Sequence, residues 1–238
     1  MPEKVAPGPI CEERSIREAV CIHTKKIFDS CRDKDCIEDL RVYPTRCSQE
    51  AIDRALSVKA GTAELLYAYI DVEPVSFNRG FYTVDVRYFY RITADAFVGA
   101  ARPIEITGLA VFDKRVVLFG SEGSAKIFAS RGEDCAPDHQ GQPRTNAPTA
   151  VVEAVDPLIL NLKLVDVCEC RPCDCGCAEI PGAVAACFPE DLMMTGDVHR
   201  LYVTLGQFSI IRLERDTQVL VPVYDYCMPD KECACGDG

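Results

Sequence analysis

Between Phe81 and Thr93 the chain alternates, with Tyr82, Val84, Val86, Tyr88, Tyr90 and Ile92 on one side and Thr83, Asp85, Arg87 and Arg91 on the other. Successive side chains of an extended chain point to opposite faces, so this period of two predicts a strand with one face in a core and one in water. Phe89 alone interrupts the polar side. The tyrosines at 82, 88 and 90 are therefore assigned to a packed sheet and not to a ligand platform.

The flanking segments repeat the signal. An apolar, aromatic run from Glu64 to Val72 is followed by Pro74 and by Asn78-Arg79-Gly80, a turn in which glycine suits a positive φ. Ile104 to Phe112 and Arg115 to Phe119 read as two strands joined by a tight turn at Asp113-Lys114, which completes an antiparallel meander. Further on, Leu158, Leu160, Leu162 and Leu164 share one face of a strand, and Val198 to Leu205, Phe208 to Leu213 and Val219 to Tyr224 read as three more. Helical signals are short: Glu12 to Ala19, and Gln49 to Leu56 opened by Ser48 as N-cap, with Ile52, Ala55 and Leu56 on one face. The expectation is an all-β fold, an antiparallel β-sandwich or two, with short N-terminal helices and cysteine-rich loops and arms. It divides into a cysteine-rich segment (1–47), a first β-rich domain (48–130), a linker or long loop rich in proline and glycine (131–149), a second β-rich domain (150–227) and a C-terminal tail (228–238).

Fifteen cysteines are the second constraint. Cys11, Cys21, Cys31, Cys36 and Cys47 lie in the first segment, with Cys31 and Cys36 bracketing an expected turn. Cys168, Cys170, Cys173, Cys175 and Cys177 crowd into ten residues, and Cys227, Cys233 and Cys235 close the chain, while Cys135 and Cys187 stand apart. Free structural cysteines are usually scattered through core strands, so thiols gathered in polar, Pro/Gly-rich stretches point to bonding. An odd total leaves at least one sulfur without an intrachain partner. The 168–177 run suits either crosslinks, since CxC spacing on an extended chain sends sulfurs to both faces, or a tetrahedral zinc held by four thiolates. Its crowding departs from the usual two separated ligand pairs of structural zinc. Cys170-Arg-Pro-Cys173 lacks the following helix that a thioredoxin-like redox pair needs.

The charge balance of -11 repels phosphate polymers and anionic lipid, so neither nucleic acid nor membrane is an expected partner, and the apolar runs are too short to span a bilayer. HExxH, GxSxG and phosphate-loop patterns are absent, and His23, His139 and His199 form no assignable constellation, so no catalytic residues and no enzyme activity are expected. The opening residues lack an apolar signal core, which predicts synthesis in the cytoplasm without a signal peptide.

The stretches Val20 to Cys36, Ile70 to Tyr90, Gly120 to Phe128 and Tyr224 to Cys233 resemble a group of cysteine-rich proteins from anaerobic spore-forming bacteria, with a looser likeness to β-rich spore-coat assembly proteins. That resemblance implies a structural, self-assembling protein of a spore coat, filament or similar extracellular layer, partnered with itself or with other coat proteins. The thirteen clustered cysteines would then be crosslinkers, with no cofactor. The alternative is a cytosolic protein in which Cys168, Cys170, Cys173, Cys175 and Cys177 hold zinc.

Overall fold

The computed structural model describes residues 18–99, 102–127, 144–167, 180–194 and 198–223. In chain order the elements are β1 (Glu18–Pro44), α1 (Arg46–Ile52), β2 (Ser57–Pro74), β3 (Phe81–Phe97), β4 (Ile104–Phe119), β5 (Lys126–Ile127), β6 (Arg144–Thr145), β7 (Thr149–Ala154), β8 (Leu158–Asp166), α2 (Gly182–Ala185) and β9 (His199–Val223). The chain forms two compact units, one of residues 1–26 with 216–238 and one of residues 27–215. In the first, the described residues are the opening of β1 and the close of β9.

Seven strands make one sheet in the order β2-β3-β4-β1-β9-β7, with β8 also paired to β9. Its meander β2-β3-β4 is antiparallel, as expected, and Gly80 takes φ +82° in the turn between β2 and β3. Strands β7 and β8 share one edge of β9, β7 along Ser209 to Glu214 and β8 along His199 to Gly206. Within the second unit the sheet curls until its outer strands meet: β2 packs against β7 and β8, and the Leu65 N–H donates to Asp156 Oδ1 at 2.9 Å. The all-β, antiparallel expectation holds, but the form is one sheet curled nearly into a barrel in place of a two-layer sandwich.

The inward face of β3 supplies much of the core. Val84, Val86, Tyr88, Tyr90, Ile92, Ala94 and Ala96 are buried against Val203, Leu205, Ile211 and Leu213 of β9. The Tyr88 and Tyr90 hydroxyls are buried without a protein partner, and burial pushes both phenols up. Phe89, the exception in the alternation, faces the other way and is only 1% exposed. It forms a second, smaller core with Leu109, Val184 and Phe188, with Ile180 and Leu192 packed against it. An apolar residue on the water side of a strand thus marks where the 180–194 segment lies down.

Several local expectations are corrected. Asp113-Lys114 is not a turn: β4 is continuous, and the β3–β4 ladder runs unbroken from Phe81↔Phe119 to Ala96↔Ile104, with Asp113 opposite Arg87. Cys31 and Cys36 do not bracket a turn, because β1 is extended through both. Five residues apart, they point to opposite faces roughly 16 Å apart along the strand, out of disulfide reach of each other. A bulge between Ile159 and Asn161 breaks the leucine face, leaving Leu158 and Leu160 exposed while Ile159, Leu162 and Leu164 pack on the core. The three expected strands after 198 are one, β9.

The helix begins earlier than expected, with Thr45 at the N-cap position. Ser48 is buried inside it and its Oγ accepts from the Thr107 N–H at 3.0 Å, tying α1 to β4. Ile52 and Ala55 are buried as expected, but Leu56 is 80% exposed. Of the expected helix at Glu12 to Ala19, residues 18 and 19 belong to β1 and the rest lies outside the described residues.

Candidate functional site

Five of the crosslinking and lone cysteines fall in the described residues, and all five are free thiols. Cys21 on β1 is exposed. Cys31 is half-buried against the core, and burial pushes its thiol up, opposed by the nearby Lys114 ammonium. Cys36, on the opposite face of the same strand, is exposed. Cys47 in the first turn of α1 is exposed and held by one carboxylate: its N–H donates to Glu190 Oε2 at 3.1 Å and its Sγ to Glu190 Oε1 at 3.0 Å. The hydrogen bond and the negative charge of Glu190 raise the Cys47 thiol, and the same contacts lower the Glu190 carboxyl. Cys187, just after α2, is exposed and donates to the Ala183 carbonyl at 3.3 Å.

A thiol reacts as thiolate, so these environments rank the sulfurs. Cys47 is accessible but kept protonated, and Cys31 is shielded. Cys21, Cys36 and Cys187 are exposed with no carboxylate on the sulfur among the described contacts. Cys11, Cys168, Cys170, Cys173, Cys175, Cys177, Cys227, Cys233 and Cys235 lie outside the described residues, and with them the zinc alternative. Among the described residues no group of three His, Cys, Asp or Glu side chains is placed to hold a metal ion. No helix there is long and apolar enough to cross a membrane.

The 168–177 run is carried on a long excursion between β8 and β9, and its base is tied down around α1. Val167 N–H donates to the Val198 carbonyl at 2.8 Å where the excursion leaves and rejoins the sheet. Asp53, at the C-cap of α1, accepts from the His199 N–H at 3.1 Å and from Gln49 Nε2 at 2.8 Å, and Gln49 Nε2 also donates to the His199 carbonyl at 3.0 Å. Further along, Met193 N–H reaches the Pro44 carbonyl at 2.7 Å, Thr45 bridges Leu192, and Arg41 donates to the Met194 carbonyl at 2.5 Å. His199 contributes both ring nitrogens, Nδ1 at 3.0 Å from the Ile52 carbonyl and Nε2 at 3.0 Å from Asp166 Oδ1. His23, by contrast, is simply exposed on β1.

Glu190, Asp53 and Asp166 carry no local sequence signal. Their partners lie far away along the chain: 143 residues separate Cys47 from Glu190, and 147 separate Ile52 from His199. Only the adjacency of Glu190 and Asp191 stood out in the sequence, and adjacent acids usually mark a solvated face.

No family model matches the chain, and no solved structure matches it significantly. Among curated proteins it is 26% identical over 234 residues to exosporium protein A of Clostridium sporogenes, an alignment spanning 92% of this chain and 68% of that protein. The match supports the spore-related part of the resemblance and a β-rich chain.

Proposed function

We propose that this chain is a structural subunit of a spore-surface layer that assembles with copies of itself, or with other coat proteins, and is then crosslinked through cysteines. The observation that carries the reading is the exposure of Cys21, Cys36, Cys47 and Cys187 as free thiols, together with the likeness to an exosporium protein. Free cysteine is ordinarily among the most buried residue types, and four exposed thiols on one chain are available to bond outside it. The rigid curled sheet is then a spacer that holds its thiols at fixed positions. Catalysis, a metal and a cofactor have no part in this reading, and the Cys47–Glu190 contact keeps one accessible thiol reduced near neutral pH until assembly.

The test is mass spectrometry of peptides from protein oxidised in air, without reductant, compared with a reduced control. Multimers that dissociate in reductant, with linked peptides joining different copies, are the expected result. Oxidation that yields only monomers, or all fifteen thiols alkylated with stoichiometric zinc in anaerobically purified protein, overturns it.

A further inference from the structure

The cysteine-rich excursion leaves the sheet one residue beyond Asp166, and Asp166 is bound to the rest of the chain through a histidine. His199 is only 19% exposed on its side chain, whereas Asp166 is 90% exposed. A backbone carbonyl is only an acceptor, so the contact with Ile52 requires a hydrogen on Nδ1. An ionised carboxylate is likewise only an acceptor, so the contact with Asp166 requires a hydrogen on Nε2. Both contacts are satisfied together only by the imidazolium. The surroundings suit a cation: Ile52 is the last residue of α1, where the carbonyls left without helical partners favour positive charge. Asp53 adds a carboxylate beside the His199 amide, Asp166 supplies the other, and Arg200, next along β9, alternates to the opposite face.

We propose that His199 is a proton-dependent clamp that ties the end of β8 to α1 while its ring is charged and releases Asp166, and with it the base of the cysteine-rich excursion, once the ring is neutral. A neutral imidazole has one N–H, so it keeps one of the two contacts and loses the other. The Ile52 contact is the more enclosed, which leaves Asp166 as the partner given up. Release above the range in which histidines titrate coincides with the rise in thiolate that drives disulfide exchange. This half of the inference rests on the crosslinking reading; the clamp itself does not.

The clamp is tested on reduced protein, where no crosslink forms. Hydrogen exchange of the 162–167 amides is followed by mass spectrometry at about pH 5.5 and about pH 8, corrected for the intrinsic pH dependence of exchange, in the natural chain and in Asp166→Ala. Protection is expected to fall about tenfold between the two conditions in the natural chain and to be low and equal at both in the variant. A merely structural Asp166 would lower protection without removing its pH dependence. Equal protection at both conditions in the natural chain, or an unchanged pH dependence in Asp166→Ala, overturns the clamp. The bearing on assembly is read separately from the rate at which reductant-sensitive multimers appear at about pH 6, which should be severalfold higher in Asp166→Ala. Equal rates overturn the link to assembly, and an absence of multimers in both proteins overturns the crosslinking reading while leaving the exchange result to decide the clamp.

Discussion

Strand β4 has two edges held in different ways. On one side it is zipped to β3 by a continuous backbone ladder from Phe81↔Phe119 to Ala96↔Ile104. On the other its ladder with β1 covers only Val42↔Ala110, Tyr43↔Leu109 and Pro44↔Gly108. Beyond those three pairs side chains take over: Asp29 Oδ2 accepts the Phe119 N–H at 3.0 Å, and Lys114 Nζ reaches Asp35 Oδ2 at 2.5 Å and Asp33 Oδ2 at 2.9 Å. The Lys114 side chain is 8% exposed and that of Asp35 18%, so the bridge is largely out of water. Backbone pairing tolerates most side-chain changes, whereas a bridge of three charges depends on each member.

The sharpest way to break the contrast is therefore Lys114→Met, which keeps the apolar stem and leaves Asp35 largely buried without its cation. A loss of roughly 3 kcal/mol is expected by urea denaturation, in line with removal of one partner from a buried pair. The triple change Lys114→Met, Asp33→Asn and Asp35→Asn should recover most of it, because the penalty lies in the stranded charge. If the single variant is as stable as the natural chain, β1 and β4 are held by something other than this bridge. The short ladder is probed by Gly108→Ala. A Cβ there would lie 2.7 Å from Val42 Cγ1 and 2.8 Å from the Tyr43 carbonyl oxygen, so the strands must part locally. About 2 kcal/mol is expected, measured the same way.

This contrast also explains what the sequence made legible. The β3 alternation and the turn at Gly80 are written in neighbouring residues, and both are found as read. Lys114 was read with Asp113 as a turn, because two charged residues between apolar runs look the same whether they end a strand or serve its two faces. Asp113 turns outward to Arg87 while Lys114 turns inward to β1, and only the partner strands decide it. The same limit applies around the excursion. The cysteines were conspicuous by spacing, but Glu190, Asp53 and Asp166 are defined by partners more than a hundred residues away, or by a turn of chain that no periodicity announces. Phe89 was the one local clue to a long-range contact, an apolar residue on a polar face.

Acid should separate the two edges next. Hydrogen bonding to Lys114 holds the Asp33 carboxyl below the usual carboxylate range, and Arg115 does the same for Asp85 on the outer face. A carboxyl whose folded value is depressed stabilises the fold above its unfolded value, and that contribution is lost as pH falls through the folded one. Stability should thus decline below about pH 4, the ordinary carboxylate range. The stability gap between the natural chain and Lys114→Met should narrow over the same window, since protonated Asp33 and Asp35 no longer need the lysine. A gap that stays constant from about pH 6 to about pH 3 would show that the lysine acts through packing alone.

The smallest effect is expected on the edge that looks richest in ion pairs. Arg87 meets Asp113 through two parallel bonds, at 2.5 and 2.9 Å, and Arg115 meets Asp85 in the same way across the β3–β4 ladder. The geometry is that of a strong charge-assisted pair, yet Asp113 is 62% exposed and the backbone beneath it is already fully paired. In water the attraction is screened, and fixing two long side chains costs entropy. Arg87→Ala should therefore cost only about 0.5 kcal/mol, and that cost should shrink further as salt is raised to about 1 M. The equivalent salt series on Lys114→Met should leave its deficit nearly intact, because a pair shielded from water is shielded from salt. If Arg87→Ala instead proves as costly as Lys114→Met, the outer ion pairs and not the backbone ladder hold β3 to β4, and the contrast between the two edges of β4 disappears.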